Sequence, residues 1–263
     1  MVGTAKGYLT GMSTPRIRDT WLVRRHEALV LGLLYVAFTA IWFSVGWLLT
    51  HPFAHSWIAH TDQSISRWFV GHRTTRLNSL SYVGSMLSDT VVKIVVTAII
   101  AIVMLVVWRR WLEPLMVVVP LILEALCFIT ITTLVGRPRP DVPRLDTSPV
   151  GSSYPSGHMG AAVSYAAIIV VVFWHTRHRW IRALAVAIGV LVPMWVGLSR
   201  MYRGMHYFTD VVFGALLGGA SVLATAIVLH RAVDRQAVEH QWGESPSDGR
   251  PSLEPTPAGA GER

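Results

Sequence analysis

Six apolar stretches constrain this chain more than any other feature. They fall near 28–49, 90–108, 115–135, 159–174, 181–198 and 207–229. A helix crosses the hydrocarbon core of a bilayer in about 20 residues, and four of the six reach that length or come within one residue of it. Inside lipid a spanning segment must satisfy its own backbone polar groups, so such stretches are helices. The expected fold class is therefore all-α: a polytopic membrane protein with six transmembrane helices in a bundle. The fourth and fifth stretches are short for spans. Pro120 and Pro193 lie inside two of the six, which membrane helices tolerate. Gly214 and Gly218 make a GxxxG spacing, and Gly160 with Ser164 a weaker small-residue pair; both predict close helix packing.

Composition agrees with a bilayer environment. Hydrophobic residues make up 52% of the 263 and charged residues only 14%, against about a quarter charged in soluble domains. The eleven Trp suit anchoring at membrane interfaces. The net charge of +8 could suggest nucleic acid. The basic residues instead flank the apolar stretches, as topology and anionic lipid require, so no nucleic-acid partner is expected. Cys127 stands alone and cannot form an intramolecular disulfide. The polar, basic start has no small-residue cleavage pattern, so no cleavable signal peptide is expected. Three regions follow: a cytoplasmic N-terminal segment at 1–27, the six-helix domain at 28–230, and a polar cytoplasmic tail at 231–263. The tail is rich in Pro, Gly, Ser and Glu after about His240 and is expected to be disordered. Between the first two spans, the segment 51–89 has apolar residues at roughly helical spacing (among them Trp57, Ile58, Ile65, Trp68 and Leu80). It reads as amphipathic interfacial helices. The positive-inside rule places both termini in the cytoplasm of a cell-membrane protein and the polar loops outside it.

With six spans, the loop after the third and the loop after the fifth lie on one side of the membrane. The first begins Gly136-Arg137-Pro138-Arg139-Pro140 and ends Pro155-Ser156-Gly157-His158. The second runs from Ser199-Arg200 through His206 to Asp210. Ser156 suits the N-cap of the fourth span. The amides of Gly157 and His158 would then face outward from a helix N-terminus, a natural anion site. His206 and Asp210 are four apart, so on one helix they share a face, and the carboxylate could orient the imidazole. Arg139 and Arg200 offer planar forks for phosphate oxygens. Two histidines among such groups predict phosphoryl chemistry on the outer side.

These runs resemble the signature of the type 2 phosphatidic acid phosphatase superfamily. That signature is Lys, six residues, Arg-Pro; then Pro-Ser-Gly-His; then Ser-Arg, five residues, His, three residues, Asp. Arg139-Pro140 match the end of the first part, and the second and third are complete from Pro155 to His158 and from Ser199 to Asp210. The resemblance implies that His206 attacks phosphorus and becomes a phosphohistidine, that Asp210 orients it, and that His158 protonates the leaving oxygen. It implies that Arg139, Ser156, Gly157 and Arg200 hold the phosphoryl oxygens, with no metal and no cofactor. The implied partner is a membrane lipid phosphate: phosphatidate, phosphatidylglycerol phosphate, or a polyprenyl phosphate or diphosphate. Oligomeric state is left open.

One position departs from the signature. Where the lysine belongs, seven residues before Arg139, stands Thr132. Arg137 beside it, or Lys93 from the outer end of the second span, could replace the charge. A weakened or inactive site is the third possibility, which keeps a non-catalytic lipid-phosphate binding or transport protein in play. A lipid phosphotransferase is the other alternative. His51, His55, His60 and Asp62 are close in sequence, but interfacial histidines explain them better than a metal site.

Overall fold

The structure, a computed structural model, describes residues 23–148 and 150–243. Six helical segments are long and apolar enough to cross a membrane: Arg25–Thr50, Thr90–Trp108, Leu112–Val135, Gly157–His175, Arg179–Tyr202 and Phe208–Gln236. The chain is a multi-pass, all-helical membrane protein. In chain order the helices are α1 (Arg25–Thr50), α2 (Trp57–Gly71), α3 (Thr75–Met86), α4 (Thr90–Trp108), α5 (Leu112–Val135), α6 (Gly157–Ser164), α7 (Ala167–His175), α8 (Arg179–Tyr202) and α9 (Phe208–Gly243). α4 leaves Val91, Ile94, Ile99, Ile102 and Val106 exposed, a face that only lipid or a partner would cover. α5 and α9 form the interior, with Met116, Val117, Cys127, Ile131, Leu217 and Leu229 buried.

The fourth span is two helices where one was expected. Between α6 and α7 the backbone tightens, with the amides of Ala166, Ile168 and Ile169 bonding carbonyls three residues back. The tightened turn aims Tyr165 at α4, where its hydroxyl bonds the carbonyl of Lys93 at 3.0 Å and lies 2.9 Å from the Thr97 hydroxyl. The closest helix packing is α6 against α9, along the small-residue seam. A Cβ built on Gly214 would stand 2.4 Å from the Ser156 carbonyl oxygen, and one on Gly218 would stand 2.2 Å from that of Gly160. No side chain fits there, so the two backbones touch.

The last helix overruns the boundary expected at 231. It continues to Gly243, with Ala232 buried and Arg235 paired with Glu27 at the start of α1. That pair gives a buried carboxylate a partner, and it extends helical structure into the region expected to be a polar tail. The expectations for the extreme N-terminus and for the tail beyond Gly243 lie outside the described residues.

The segment 51–89 forms α2 and α3, both docked on the end of the bundle that carries the motifs. α2 turns Asp62 and Ser66 inward and leaves Trp57 and Trp68 exposed. α3 packs on α8, and the Tyr202 hydroxyl bonds Asn78 at 2.8 Å. Arg73, between α2 and α3, donates through Nη2 to the Tyr202 carbonyl at 2.9 Å.

Candidate active site

α5 ends at Gly136, whose φ of 61° is left-handed. Glycine adopts that conformation without strain, and the chain turns there into Arg137 and Arg139. The loop then returns to α6, whose N-cap is Ser156. Ser156 occupies the cap position with extended backbone, but its hydroxyl makes no capping bond. Its Oγ is buried and has no partner among the described residues. A buried hydroxyl without a partner costs stability, so this one keeps its hydrogen-bonding capacity open. Gly157 is required by close packing: a Cβ there would meet the Phe128 ring at 2.8 Å.

His206 precedes α9 and is 4% exposed. The hydrogen bond expected from Asp210 is not made. His206 Nδ1 lies 2.7 Å from the Ser153 carbonyl oxygen instead. A carbonyl only accepts, so Nδ1 carries the proton and Nε2 of the neutral ring keeps its lone pair. Burial, then the positive charges of Arg200 and Arg139 and the neighbouring His158, push the His206 pKa well below its ordinary value, with the Ser153 carbonyl opposing. The ring is neutral at neutral pH. Unfolded, it would protonate near pH 6.5. Below that pH the unfolded chain binds more protons than the folded one, so stability falls as pH falls. This residue is expected to contribute a slope of up to about 1.4 kcal/mol per pH unit below that point. Thermal midpoints from pH 7 to pH 5 should fall less steeply in His206→Asn than in the parent; equal slopes would contradict the neutral buried ring.

Asp210 is fully buried and engaged elsewhere. Its Oδ1 accepts from Arg137 Nη1 at 2.5 Å, its Oδ2 from the Tyr207 amide at 2.8 Å, and its carbonyl from the Ser156 amide at 3.0 Å. Arg137 is likewise committed. Its Nη2 reaches Asp62 Oδ2 at 2.9 Å and its guanidinium lies 4.5 Å from the centre of the Tyr207 ring. Burial opposes its charge, but Asp210 and Asp62 more than offset this and hold its pKa above the ordinary arginine value. Arg137 is thus neutralised by two carboxylates and bonded to Thr209, which leaves it poorly placed to supply the charge missing at Thr132. Asp62, considered with nearby histidines for metal, is the partner of Arg137.

Arg139 donates Nη1 to the Met205 carbonyl at 2.6 Å and Nη2 to Ser148 Oγ and the Val150 carbonyl, both at 2.9 Å. None of these partners is charged, so its positive field remains. Arg200 donates Nη1 to Ser85 Oγ at 2.7 Å and to Asp146 Oδ2 at 3.0 Å, and its buried Nε has no partner among the described residues. Arg203 grips the same Asp146 with Nε at 2.7 Å and Nη2 at 2.6 Å. Burial works against ionisation of Asp146, but Arg203 and Arg200 outweigh it and hold the carboxyl below the usual range.

His158, in the first turn of α6, is within electrostatic reach of Arg200, Lys93, Asp146 and Arg139, and of His206. Lys93 also reaches the buried Glu124. Thr132 is buried on α5, and its hydroxyl has no partner among the described residues. The structure thus gathers His158, His206, Arg139, Arg200, Ser156 and Gly157, and the charge of Lys93 is felt at His158. Asp62, Asp146, Ser85, Thr209 and the Ser153 carbonyl are the participants that motif reading did not assign. A buried Asp on a helix otherwise rich in interfacial residues was the one available signal, for Asp62.

The fold and this cluster define a class: six-span membrane proteins whose helical ends on one side converge two histidines and two arginines. The family model of the PAP2 superfamily matches residues 113–234, and over this segment the chain is similar to that superfamily. Lipid A 4'-phosphatase of Bacteroides thetaiotaomicron is 25% identical over 125 residues, 43% of this chain and 51% of that protein. Phosphatidylglycerophosphatase B of Bacillus subtilis is 37% identical over 90 residues, 32% of this chain and 42% of that protein. The chain thus spans about half or less of the curated relatives it matches. The crystal structure of a transmembrane PAP2-type phosphatidylglycerolphosphate phosphatase from Bacillus subtilis superposes with a TM-score of 0.62. That match covers 80% of this chain and 97% of the other at 22% identity, a likeness of fold.

Proposed function

We propose that this protein is a membrane lipid phosphatase that hydrolyses a phosphomonoester or diphosphate through a phosphohistidine at His206. The observation that carries the reading is the Nδ1 contact of His206 with the Ser153 carbonyl, inside a cluster of two arginines. It leaves Nε2 as a nucleophile with its lone pair free. Nε2 attacks phosphorus, the bond from phosphorus to the leaving oxygen breaks, and protonated His158 gives that oxygen its proton. The ring becomes positive as the new bond forms, and the Ser153 carbonyl stabilises its Nδ1–H. His158 then takes a proton from water, whose oxygen attacks phosphorus and releases inorganic phosphate, restoring His206. Arg139, Arg200 and the amides at the start of α6 offset the charge on the equatorial oxygens.

The lipid fits the location, because the cluster lies at the ends of the spans where a headgroup meets water while its tails stay in the bilayer. Phosphatidate, phosphatidylglycerol phosphate and a polyprenyl diphosphate form the assay panel, with the protein in detergent and EDTA present. Phosphate release from at least one of them is expected; release only after metal is added would count against this route. Orientation in the cell membrane, with both termini cytoplasmic and the cluster outside, follows from the basic flanks.

Lys93 supplies the charge that Thr132 lacks. Its reach to His158 is the supporting observation. Lys93→Met is expected to lower kcat by roughly 10²- to 10³-fold, the scale seen when one transition-state donor is removed. Thr132→Lys in that background should restore part of the loss. Wild-type turnover in Lys93→Met would remove the residue from the site.

A further inference from the structure

Asp62 belongs to α2, outside every sequence motif, yet it is 1% exposed and uses both carboxylate oxygens. Oδ1 accepts from the Thr209 amide at 3.1 Å; Oδ2 accepts from Arg137 Nη2 at 2.9 Å and from Thr209 Oγ1 at 2.5 Å. The Thr209 amide lies in the first turn of α9, where helix amides lack acceptors within the helix. Asp62 therefore caps α9 from another helix, three residues after His206. Its neighbour Gln63 extends the dock, donating Nε2 to the Asp141 carbonyl at 3.0 Å and accepting from the Tyr207 hydroxyl at 3.3 Å.

The other side of this contact leads to the nucleophile by two routes. Through Arg137, the carbonyl of that residue accepts from the Ser153 amide at 2.8 Å, and the Ser153 carbonyl accepts from His206. Through Asp210, the side chain receives Arg137 and caps the Tyr207 amide, next to His206. Arg137 carries one positive charge between two carboxylates, so removing either one redistributes its hydrogen bonds.

We propose that Asp62 is a positioning residue for His206: by fixing Arg137 and the first turn of α9, it couples the interfacial helix α2 to the aim of the nucleophilic ring. This rests on the reading of His206 as nucleophile. A small misplacement of a nucleophile slows the chemical step with little effect on binding. Asp62→Asn keeps the shape of the side chain and removes its charge. Assayed well below its thermal midpoint, which loss of the buried ion pair lowers, the variant is expected to show a kcat ten- to a hundredfold lower and a KM within twofold of the parent. Parental kcat, or a rise in KM without loss of kcat, would overturn the proposal. If Asp62→Asn does not fold, Thr209→Val decides: it removes the hydroxyl that bridges Asp62 and Arg137 but leaves their ion pair. A three- to tenfold fall in kcat at constant KM supports the coupling, and a parental kcat refutes it. His206→Ala is assayed alongside. If it hydrolyses normally, the nucleophile is wrong; if it is inactive while Asp62→Asn turns over at the parental rate, only the coupling fails.

Discussion

His206→Ala is expected to abolish turnover, whereas His158→Ala should slow it by roughly 10²- to 10⁴-fold, the span of general acid–base catalysis. The difference follows from their surroundings. His206 is buried with one nitrogen committed to a carbonyl, leaving a single nitrogen to form a covalent bond. His158 is partly exposed at the start of α6, with no hydrogen-bonding partner among the described residues, as suits a proton carrier open to water. The two variants should also differ in what they trap. After mixing with a labelled lipid phosphate and an alkaline quench, His158→Ala should retain label on protein, because phosphoryl capture can precede the slowed hydrolysis. His206→Ala should retain none. Label on His206→Ala would move the nucleophile elsewhere.

Gly218→Ala should be among the most damaging single-methyl changes in the molecule. Its Cβ would meet the Gly160 carbonyl oxygen at 2.2 Å, and backbone cannot move aside as a flexible side chain can. Overpacking of this kind costs about 1–3 kcal/mol or more. Spreading α9 from α6 would also part His206 from Ser156 and His158, so activity should fall together with the thermal midpoint. Gly71, at the end of α2, has nothing within 4 Å of a built Cβ and provides the control. Gly71→Ala should leave both properties near those of the parent. Similar losses at the two positions would mean that close approach is not what Gly218 provides.

The spans were legible because lipid leaves one backbone solution, and α4 matches its expected limits of Thr90–Trp108. The split of the fourth span was not legible, because Tyr165 and Ala166 carry no breaking signal. The turn is stabilised by the tyrosine's contact with α4, a relation between distant residues. The same reason explains the site. Motif spacing located both histidines and both arginines, but helical periodicity relates His206 only to near neighbours such as Asp210. The partner chosen instead is a backbone carbonyl, which every residue has and which leaves no mark in a sequence. Arg137 was misjudged because the carboxylates that claim it, Asp62 and Asp210, lie on two other helices.

The contact between α6 and α9 has a consequence for how such a protein can change over time. Where two backbones touch without side chains between them, there is nothing to resize, so drift at Gly214 or Gly218 has no graded path. The separation of His158 and His206 is thereby held by two helices. Variation is left to replaceable side chains, such as those on the exposed faces of α2 and α3. A chain of this kind can vary its interfacial helices without disturbing the seam that holds its two histidines.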